Sequence, residues 1–281
     1  MILVCCVFMR IKQLMNEADA IIIGAGAGLS QAAGIAYGSV HFNENFPELV
    51  ERYGMTDMYT SSFYTFETEE ERWSYWAKHI HYLYDVPATK VYQELFQLFQ
   101  NKNYFVITTN VDGQFEKSGF VKEKIFEVQG NLSKMQCSVG CHAKTYDDLE
   151  IVRKMLKEDR DCKIPSNLIP YCPRCGEKME VHLRKDAFFV EDESWHQQQK
   201  AYDSFVERYH NQKILLIELG VGFNTPGIIR FPFEKMTEQF SQTHLIRVND
   251  HYVDTAFEIE DKTILMRENI EPFITKLKEE S

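Results

Sequence analysis

Seven cysteines are spread unevenly over the 281 residues, and four of them are paired at spacings suited to a metal. Cys137 and Cys141 enclose three residues, and after thirty more comes Cys172-Pro173-Arg174-Cys175, followed by Gly176. Two such knuckles place four thiolates tetrahedrally around zinc, and the trailing glycine permits a tight turn. The competing reading, four thiols adrift in a surface insertion, leaves reactive sulfur exposed and is the poorer account. Four thiolates close the coordination sphere, so the expected Zn2+ holds the fold and does not activate water. Cys162 lies in a charged stretch between the knuckles and reads as a spare thiol, whereas Cys5 and Cys6 read as small packing hydrophobes. The histidines, among them His79, His81, His142, His182 and His196, show no metal spacing against the cysteines and read as ordinary surface or core residues.

A second kind of chemistry is suggested by Gly24-Ala25-Gly26-Ala27-Gly28-Leu29-Ser30. Glycines after a strand let the backbone turn tightly and approach a pyrophosphate, whose charge is met by amide N–H groups and a helix dipole. The alternative is a strand–helix turn that merely needs glycine; the apolar strand before it and the helix opening at Gln31-Ala32-Ala33 favour a dinucleotide. Thr108-Thr109-Asn110-Val111-Asp112-Gly113 stands at another strand end. Asn110 and Asp112 are suited to holding a ribose and a carboxamide, and equally to local turn hydrogen bonds. Glu127-Val128-Gln129-Gly130-Asn131 reads in the same two ways, as part of a site or as a turn.

These residues need a scaffold, and the apolar runs supply one. Ala20-Ile21-Ile22-Ile23, residues 104–108 (YFVIT), 213–219 (KILLIEL) and 244–248 (HLIRV) are continuous apolar segments, each ending in a polar or glycine loop. Such runs are strands buried on both faces, and the helical patterns between them make βαβ units. The expected fold is therefore α/β, a doubly wound, Rossmann-like parallel sheet whose ligand crevice lies at the strands' C-terminal ends. Two stretches interrupt the alternation. Residues 37–87 are aromatic and acidic, with helical spacing over 69–84, and read as a helical insertion over part of the sheet edge. Residues 132–183 carry the cysteines and a lysine-rich segment. The nucleotide-binding unit is then 1–36, 88–131 and 184–281, opening with a short helix over 11–17 and closing with a helix from Asn269.

Composition restricts the function classes. With 31 Lys and Arg against 42 Asp and Glu, the formal charge is −11 and no basic stripe is present, which argues against nucleic acid as partner. The first ten residues, MILVCCVFMR, lack the charge order and cleavage site of a targeting signal, and Met9 and Met15 are alternative starts. No stretch approaches the ~20 apolar residues of a membrane helix. The expectation is a cytoplasmic protein away from the membrane.

Taken in order, these segments resemble the sirtuin family over nearly the whole chain. Gly26-Ala27-Gly28-Leu29-Ser30 with Gly34-Ile35 is similar to its GAGIS…GI segment, and residues 108–113 resemble TQNIDG with Thr109 in place of Gln. Gln129-Gly130-Asn131 falls on HGN, and the cysteines fall on the zinc module. Gly220-Val221-Gly222 corresponds to the later GTS turn, and Asn249 to the strand-end Asn that meets the adenine ribose. The resemblance implies NAD as co-substrate. Gly26, Ala27, Gly28, Leu29 and Ser30 would hold the pyrophosphate; Asn110, Asp112 and Gln129 would be catalytic and meet the nicotinamide ribose and carboxamide; Gly220, Val221, Gly222 and Asn249 would contact the adenosine half.

The departures from the family change the implied reaction. Sirtuin deacylases place a histidine before Gly-Asn as general base, but residue 129 is glutamine, which takes up no proton near neutral pH. The PDFR segment is absent, with Ala36-Tyr37-Gly38 in its place, and residues 185–192 only faintly resemble the acyl-lysine segment. The macrodomain-linked (class M) microbial sirtuins carry this glutamine. That resemblance implies a protein ADP-ribosyltransferase releasing nicotinamide, with a lipoylated glycine-cleavage-H-like protein as target and a macrodomain protein as eraser. Three rival activities stay open at this level: a residual lysine deacylase, an NAD hydrolase, and a non-enzymatic sensor of NAD or ADP-ribose.

Overall fold

The computed structural model describes residues 2–35 and 39–279; Ala36, Tyr37 and Gly38, where PDFR is missing, lie outside them, as does the side chain of Cys5. Along the chain the strands are β1 (Ala20–Ala25), β2 (Tyr104–Thr108), β3 (Ile125–Glu127), β4 (Gly130–Cys137), β5 (Tyr146–Asp147), β6 (Met179–Leu183), β7 (Ile214–Leu219), β8 (His244–Val248) and β9 (Thr263–Met266). The helices are α1 (Ile2–Glu17), α2 (Ala27–Ala32), α3 (Ser39–Asn45), α4 (Pro47–Tyr53), α5 (Met58–Ser61), α6 (Glu69–Asp85), α7 (Lys90–Phe99), α8 (Gln114–Lys117), α9 (Leu149–Glu158), α10 (Glu193–Tyr209), α11 (Arg230–Gln239) and α12 (Ile270–Glu279).

Among the described residues, six parallel strands form one sheet in the order β3-β2-β1-β7-β8-β9. The apolar runs are continuous because both faces are covered. Ile21 and Ile23 pack into one core with Tyr92 and Leu95 of α7 and Phe273 of α12. Ile22, between them, faces a second core with Trp195 of α10 and Phe233 of α11. The period-two alternation thus distributes one apolar strand over two cores. The strands β3 and β9 were not marked by the sequence; they are short, three and four residues, and sit at the sheet edges.

One charge is buried within this sheet. Glu218 of β7 is fully covered and is met by Arg247 of β8 at 2.8 and 3.0 Å and by Arg230 of α11 at 3.6 Å. A buried carboxylate is tolerated only with such partners. Arg230 also donates to the carbonyls of Tyr252 and Asp254, so the cluster anchors the loop after β8.

The two insertions share a core with each other. Phe42, Phe46, Leu49, Trp73, Trp76 and Ile80 of the helical stretch share a separate core with Val152 and Met155 of α9 and with Cys137, Met179 and Val181. The sixth helix starts on a capping box, in which Thr68 Oγ1 accepts from the Glu71 amide and donates to its carboxylate. Its inner face then closes on α9. A three-stranded antiparallel sheet, β5-β4-β6, carries the cysteines. Aromatic residues of one insertion thus find their apolar partners on the other.

The N-terminal helix is longer than the 11–17 expected, and its core-facing residues are Phe8, Ile11, Leu14 and Met15. Cys6 is exposed, because it falls off that stripe, so it does not pack as a small hydrophobe.

Candidate active site

Strands β1 and β7 are neighbours from which the chain winds off in opposite directions, towards β2 and β3 on one side and β8 and β9 on the other. A crevice opens at the C-terminal ends of two such strands. Here their terminal turns touch backbone to backbone. The amide of Gly26 donates to Leu219 O and that of Gly28 to Gly220 O, both at 3.0 Å. A Cβ on Gly28 would fall 2.7 Å from Gly220 Cα, and one on Gly220, which has φ +63°, would fall 2.5 Å from the Leu29 nitrogen. Side chains at these positions would push the two turns apart and fill the cradle that a dinucleotide needs.

The crevice is a cavity of about 360 Å³. Gly26, Ala27, Gly28, Asn110, Gln129, Gly220, Val221, Gly222 and Asn249 all line it, which gathers nine of the twelve nominated cofactor residues from five segments of the chain. Leu29, Ser30 and Asp112 do not. Leu29 is fully buried in the core beneath α2. Ser30 and Asp112 are bonded to each other, Ser30 Oγ donating to Asp112 Oδ2 at 2.5 Å. For Leu29 and Ser30 the cause is simple: on a helical turn the residues after the glycines rotate away from the crevice.

Asp112 is fully committed behind the cavity wall. Its Oδ2 also accepts from Tyr92 Oη at 3.3 Å, and its Oδ1 from the Gln114 amide at 3.0 Å. Burial pushes its pKa up, while Ser30 and the Gln114 amide oppose that shift. The outward side of this carboxylate borders a second hollow of about 260 Å³, between α6 and the loop, and not the crevice. Asn110 is held by the same network: its Nδ2 donates to Gly26 O at 3.0 Å and to Tyr92 Oη at 3.3 Å. Both amide hydrogens are thereby used, so a ligand can engage this side chain only by donating to its carbonyl oxygen.

Gln129 stands half-buried at the cavity wall, its Nε2 donating to Thr225 Oγ1 at 3.1 Å. The turn that carries it is braced from behind by Asn131, which donates to both oxygens of Glu127 at 3.0 and 2.8 Å. Burial pushes Glu127 up to about 7. Asn249 lines the far end of the cavity, yet its own polar atoms shape the loop. Nδ2 donates to Val221 O, and Oδ1 accepts from the amides of His251 and Tyr252. Several lining residues carried no signal in the sequence. Thr225, Arg184 and Tyr252 come from loops, His79 sits on α6 among aromatics, and Tyr92, the hub beneath the site, looks like one more apolar residue of α7.

The four nominated cysteines converge. Their sulfur atoms all lie within 4.8 Å of one another, with Cys137–Cys175 at 3.5 Å and Cys141–Cys172 at 3.7 Å, and none forms a disulfide. A tetrahedron of Zn–S bonds of ~2.3 Å has edges of about 3.8 Å, so the donor set fits zinc. Gly176 takes φ +79° in the turn after the second knuckle. His142, nominated as an ordinary histidine, has Nδ1 3.0 Å from Cys141 Sγ and Nε2 2.8 Å from Tyr146 Oη, which braces that ligand. Cys162 is buried apart from the cluster.

No helix among the described residues is long and apolar enough to cross a membrane. The Sir2 family model matches residues 26–220. A protein ADP-ribosyltransferase of Staphylococcus aureus is 35% identical over 267 residues, covering 94% of this chain and 85% of the relative. A probable bifunctional ADP-ribose hydrolase/ADP-ribosyltransferase of Fusarium oxysporum is 33% identical over 252 residues; the match takes in 84% of this chain but only 41% of the relative. Among solved structures, Sir2Tm bound to a propionylated peptide superposes with a TM-score of 0.59 at 20% identity, covering 97% of this chain and 98% of that one, and so shares the fold.

Proposed function

Because the chain belongs to the Sir2 family, with NAD as its co-substrate, we propose that it transfers ADP-ribose from NAD to a protein side chain and releases nicotinamide. The observation that carries the reading is Gln129. Its carboxamide occupies the cavity wall at the segment where deacylases of this family keep a histidine, and it is hydrogen-bonded to a threonine instead of being poised to take a proton. An amide holds a hydroxyl without deprotonating it. What supports transfer further is the name of the Staphylococcus relative, similar over almost the whole chain.

The chain's own residues divide the work as follows. The Gly26–Gly28 and Gly220–Gly222 turns would hold the pyrophosphate and adenosine half. The Asn110 carbonyl oxygen and Gln129 would meet hydroxyls of the nicotinamide ribose. The bond that breaks joins C1′ of that ribose to nicotinamide, which departs with the electron pair as a neutral molecule. The acceptor nucleophile forms the new bond to C1′ and loses its proton. Positive character on the ribose is favoured by fixed carbonyl dipoles such as that of Asn110, so placement and electrostatics contribute most of the rate. The zinc of the four-cysteine site would hold the knuckles together and take no part in the transfer.

The finer partner assignments are also proposals. A lipoylated glycine-cleavage-H-like protein as acceptor rests on the class M resemblance. A macrodomain eraser gains some support from the Fusarium relative, whose name joins a hydrolase of ADP-ribose to a transferase. A cytoplasmic setting accords with the free thiols. The test is incubation of the purified protein with labelled NAD and candidate acceptor proteins. Transfer predicts label on protein, lost with Asn110→Ala; nicotinamide release with no label on any protein would assign hydrolysis instead.

A further inference from the structure

Two lining residues of the cavity have a buried side-chain nitrogen without a hydrogen-bond partner among the described residues, Arg184 Nε at its rim loop and His79 Nε2 on α6. His79 is 2% exposed. It stacks on Trp76 with centroids 5.2 Å apart and an interplanar angle of 22°, and it meets the edge of Tyr75. Its Nδ1 lies 2.9 Å from Tyr75 Oη. Its Nε2 has no hydrogen-bond partner among the described residues, although it is buried. His79 lines the cavity whereas Trp76 and Tyr75 do not, and with Nδ1 engaged by Tyr75 the nitrogen left for a ligand is Nε2.

The tautomer follows from the neighbours. Tyr75 Oη has one hydrogen, and its other acceptors, Met58 O and Ser62 Oγ, are distant at 3.4 and 3.5 Å. The hydrogen therefore goes to Nδ1, and the single proton of a neutral imidazole is left on Nε2. Burial keeps the ring neutral, pushing its pKa down to about 3. An N–H donor of this kind, desolvated and unpaired, costs free energy until an acceptor arrives. The cavity that His79 lines also has apolar Val111, Leu132 and Phe63 together with polar Asn110 and Gln129. This combination selects a flat or apolar group that bears one neutral carbonyl oxygen.

We propose that His79 is a specificity-determining residue whose Nε2–H binds a neutral carboxamide oxygen at the floor of the cavity. The proposal rests on the reading above that this cavity takes NAD. Two sources supply that chemistry, the carboxamide of nicotinamide and an amide of the protein acceptor, and the experiment separates them.

Binding of nicotinamide and of 3-methylpyridine, which keeps the ring and lacks the carboxamide, is measured by calorimetry on wild type, His79→Asn and His79→Gln. Asparagine reaches the Nδ1 position and keeps Tyr75 supplied with a partner, whereas glutamine places an N–H near the Nε2 position. For nicotinamide as the source, His79→Asn weakens nicotinamide roughly tenfold, His79→Gln recovers most of it, and 3-methylpyridine responds to neither. For the acceptor as the source, nicotinamide binding is unchanged, and the KM for the protein acceptor rises about tenfold in His79→Asn with kcat retained. Equal weakening of both pyridines, or no change in any of these quantities, overturns the proposal. If the variants melt well below wild type, the wild-type comparison decides: equal affinity for the two pyridines, with an unaltered acceptor KM for acceptors lacking the amide, also overturns it. Wild type that releases no nicotinamide from NAD would sink the transferase reading, while the two-pyridine comparison would still judge His79.

Discussion

Ser30 Oγ and Asp112 Oδ2 are 2.5 Å apart, so two segments separated by 82 positions, each nominated to touch the ligand, are instead joined to one another. Tyr92 Oη adds a second bridge, 3.3 Å from both Asp112 Oδ2 and Asn110 Nδ2. The network ties the first helical turn after the glycines to the strand-end loop that presents Asn110. Asp112 thus ties together Ser30, Tyr92 and the Gln114 amide beside the loop that presents Asn110.

Removing this carboxylate affects three donors at once. Asp112→Ala removes an acceptor shared by the Ser30 and Tyr92 hydroxyls and the acceptor of the Gln114 amide. The expected loss is about 2–4 kcal/mol of unfolding free energy, and Ser30→Ala costs about 1 kcal/mol. Chemical denaturation measures both, and a loss below that of Ser30→Ala would refute the hub.

The contact between the two glycine turns predicts a sharp steric effect. Gly220→Ala meets the Leu29 nitrogen at 2.5 Å and adopts φ +63°. Strain of about 1–3 kcal/mol is expected, and the turns must separate. Nicotinamide release should fall at least tenfold, whereas Gly222→Ala, whose Cβ would meet only Tyr252 at 3.8 Å, should be mild.

Restoring a proton acceptor tests the role of residue 129. Removal of a general base costs on the order of 10²–10⁴-fold, so wild type should remove acyl groups from lysine peptides that much more slowly than Gln129→His. The comparison is made on the same acylated peptide with NAD present. Equal rates would refute the assignment of Gln129.

Metal analysis should find one zinc per chain, absent in Cys172→Ser. Structural zinc contributes apparent binding energies of roughly 10–16 kcal/mol in small modules. Because Cys137 and Cys172 share a core with Trp73, Trp76 and Met155, chelation should expose α6 and α9 together to amide exchange before the parallel sheet opens.

A pH dependence follows from Asp148, which is fully buried with Oδ2 unpartnered among the described residues and whose pKa burial pushes up to about 7. The folded protein then binds a proton that the unfolded chain, with a carboxyl at its ordinary value, has released. The resulting stability is present at the acid end and is lost as pH rises from about 4 to 7. Asp148→Asn should flatten the stability profile in that window by up to about 1.4 kcal/mol per pH unit. An unchanged profile would mean that Asp148 ionises freely.

Much of this protein was legible in its residues because the signals are local. Uninterrupted apolar runs ending in glycine mark buried parallel strands, and β2 and β8 lie at the very residues expected, 104–108 and 244–248. Paired cysteines announce their own ligand geometry, and a glutamine where chemistry needs a base is visible at one position. Weak signals were lost: β3 and β9 are too short to show a pattern, and the core that the two insertions share was not foreseen because an apolar face does not name what will cover it.

Tertiary structure decided what happens within the nominated segments. Helical rotation after the glycines sends Leu29 and Ser30 inward, and Ser30 then captures Asp112 away from the cavity. A buried polar atom must be satisfied by whatever folding brings near, and that neighbour is set by packing across distant segments, as for Tyr92, whose hydroxyl meets Asp112 and Asn110. Sequence therefore made legible the fold, the four cysteines that converge and the glutamine at position 129. The division of residues between those that meet the ligand and those that hold them in place was determined only by three-dimensional contact.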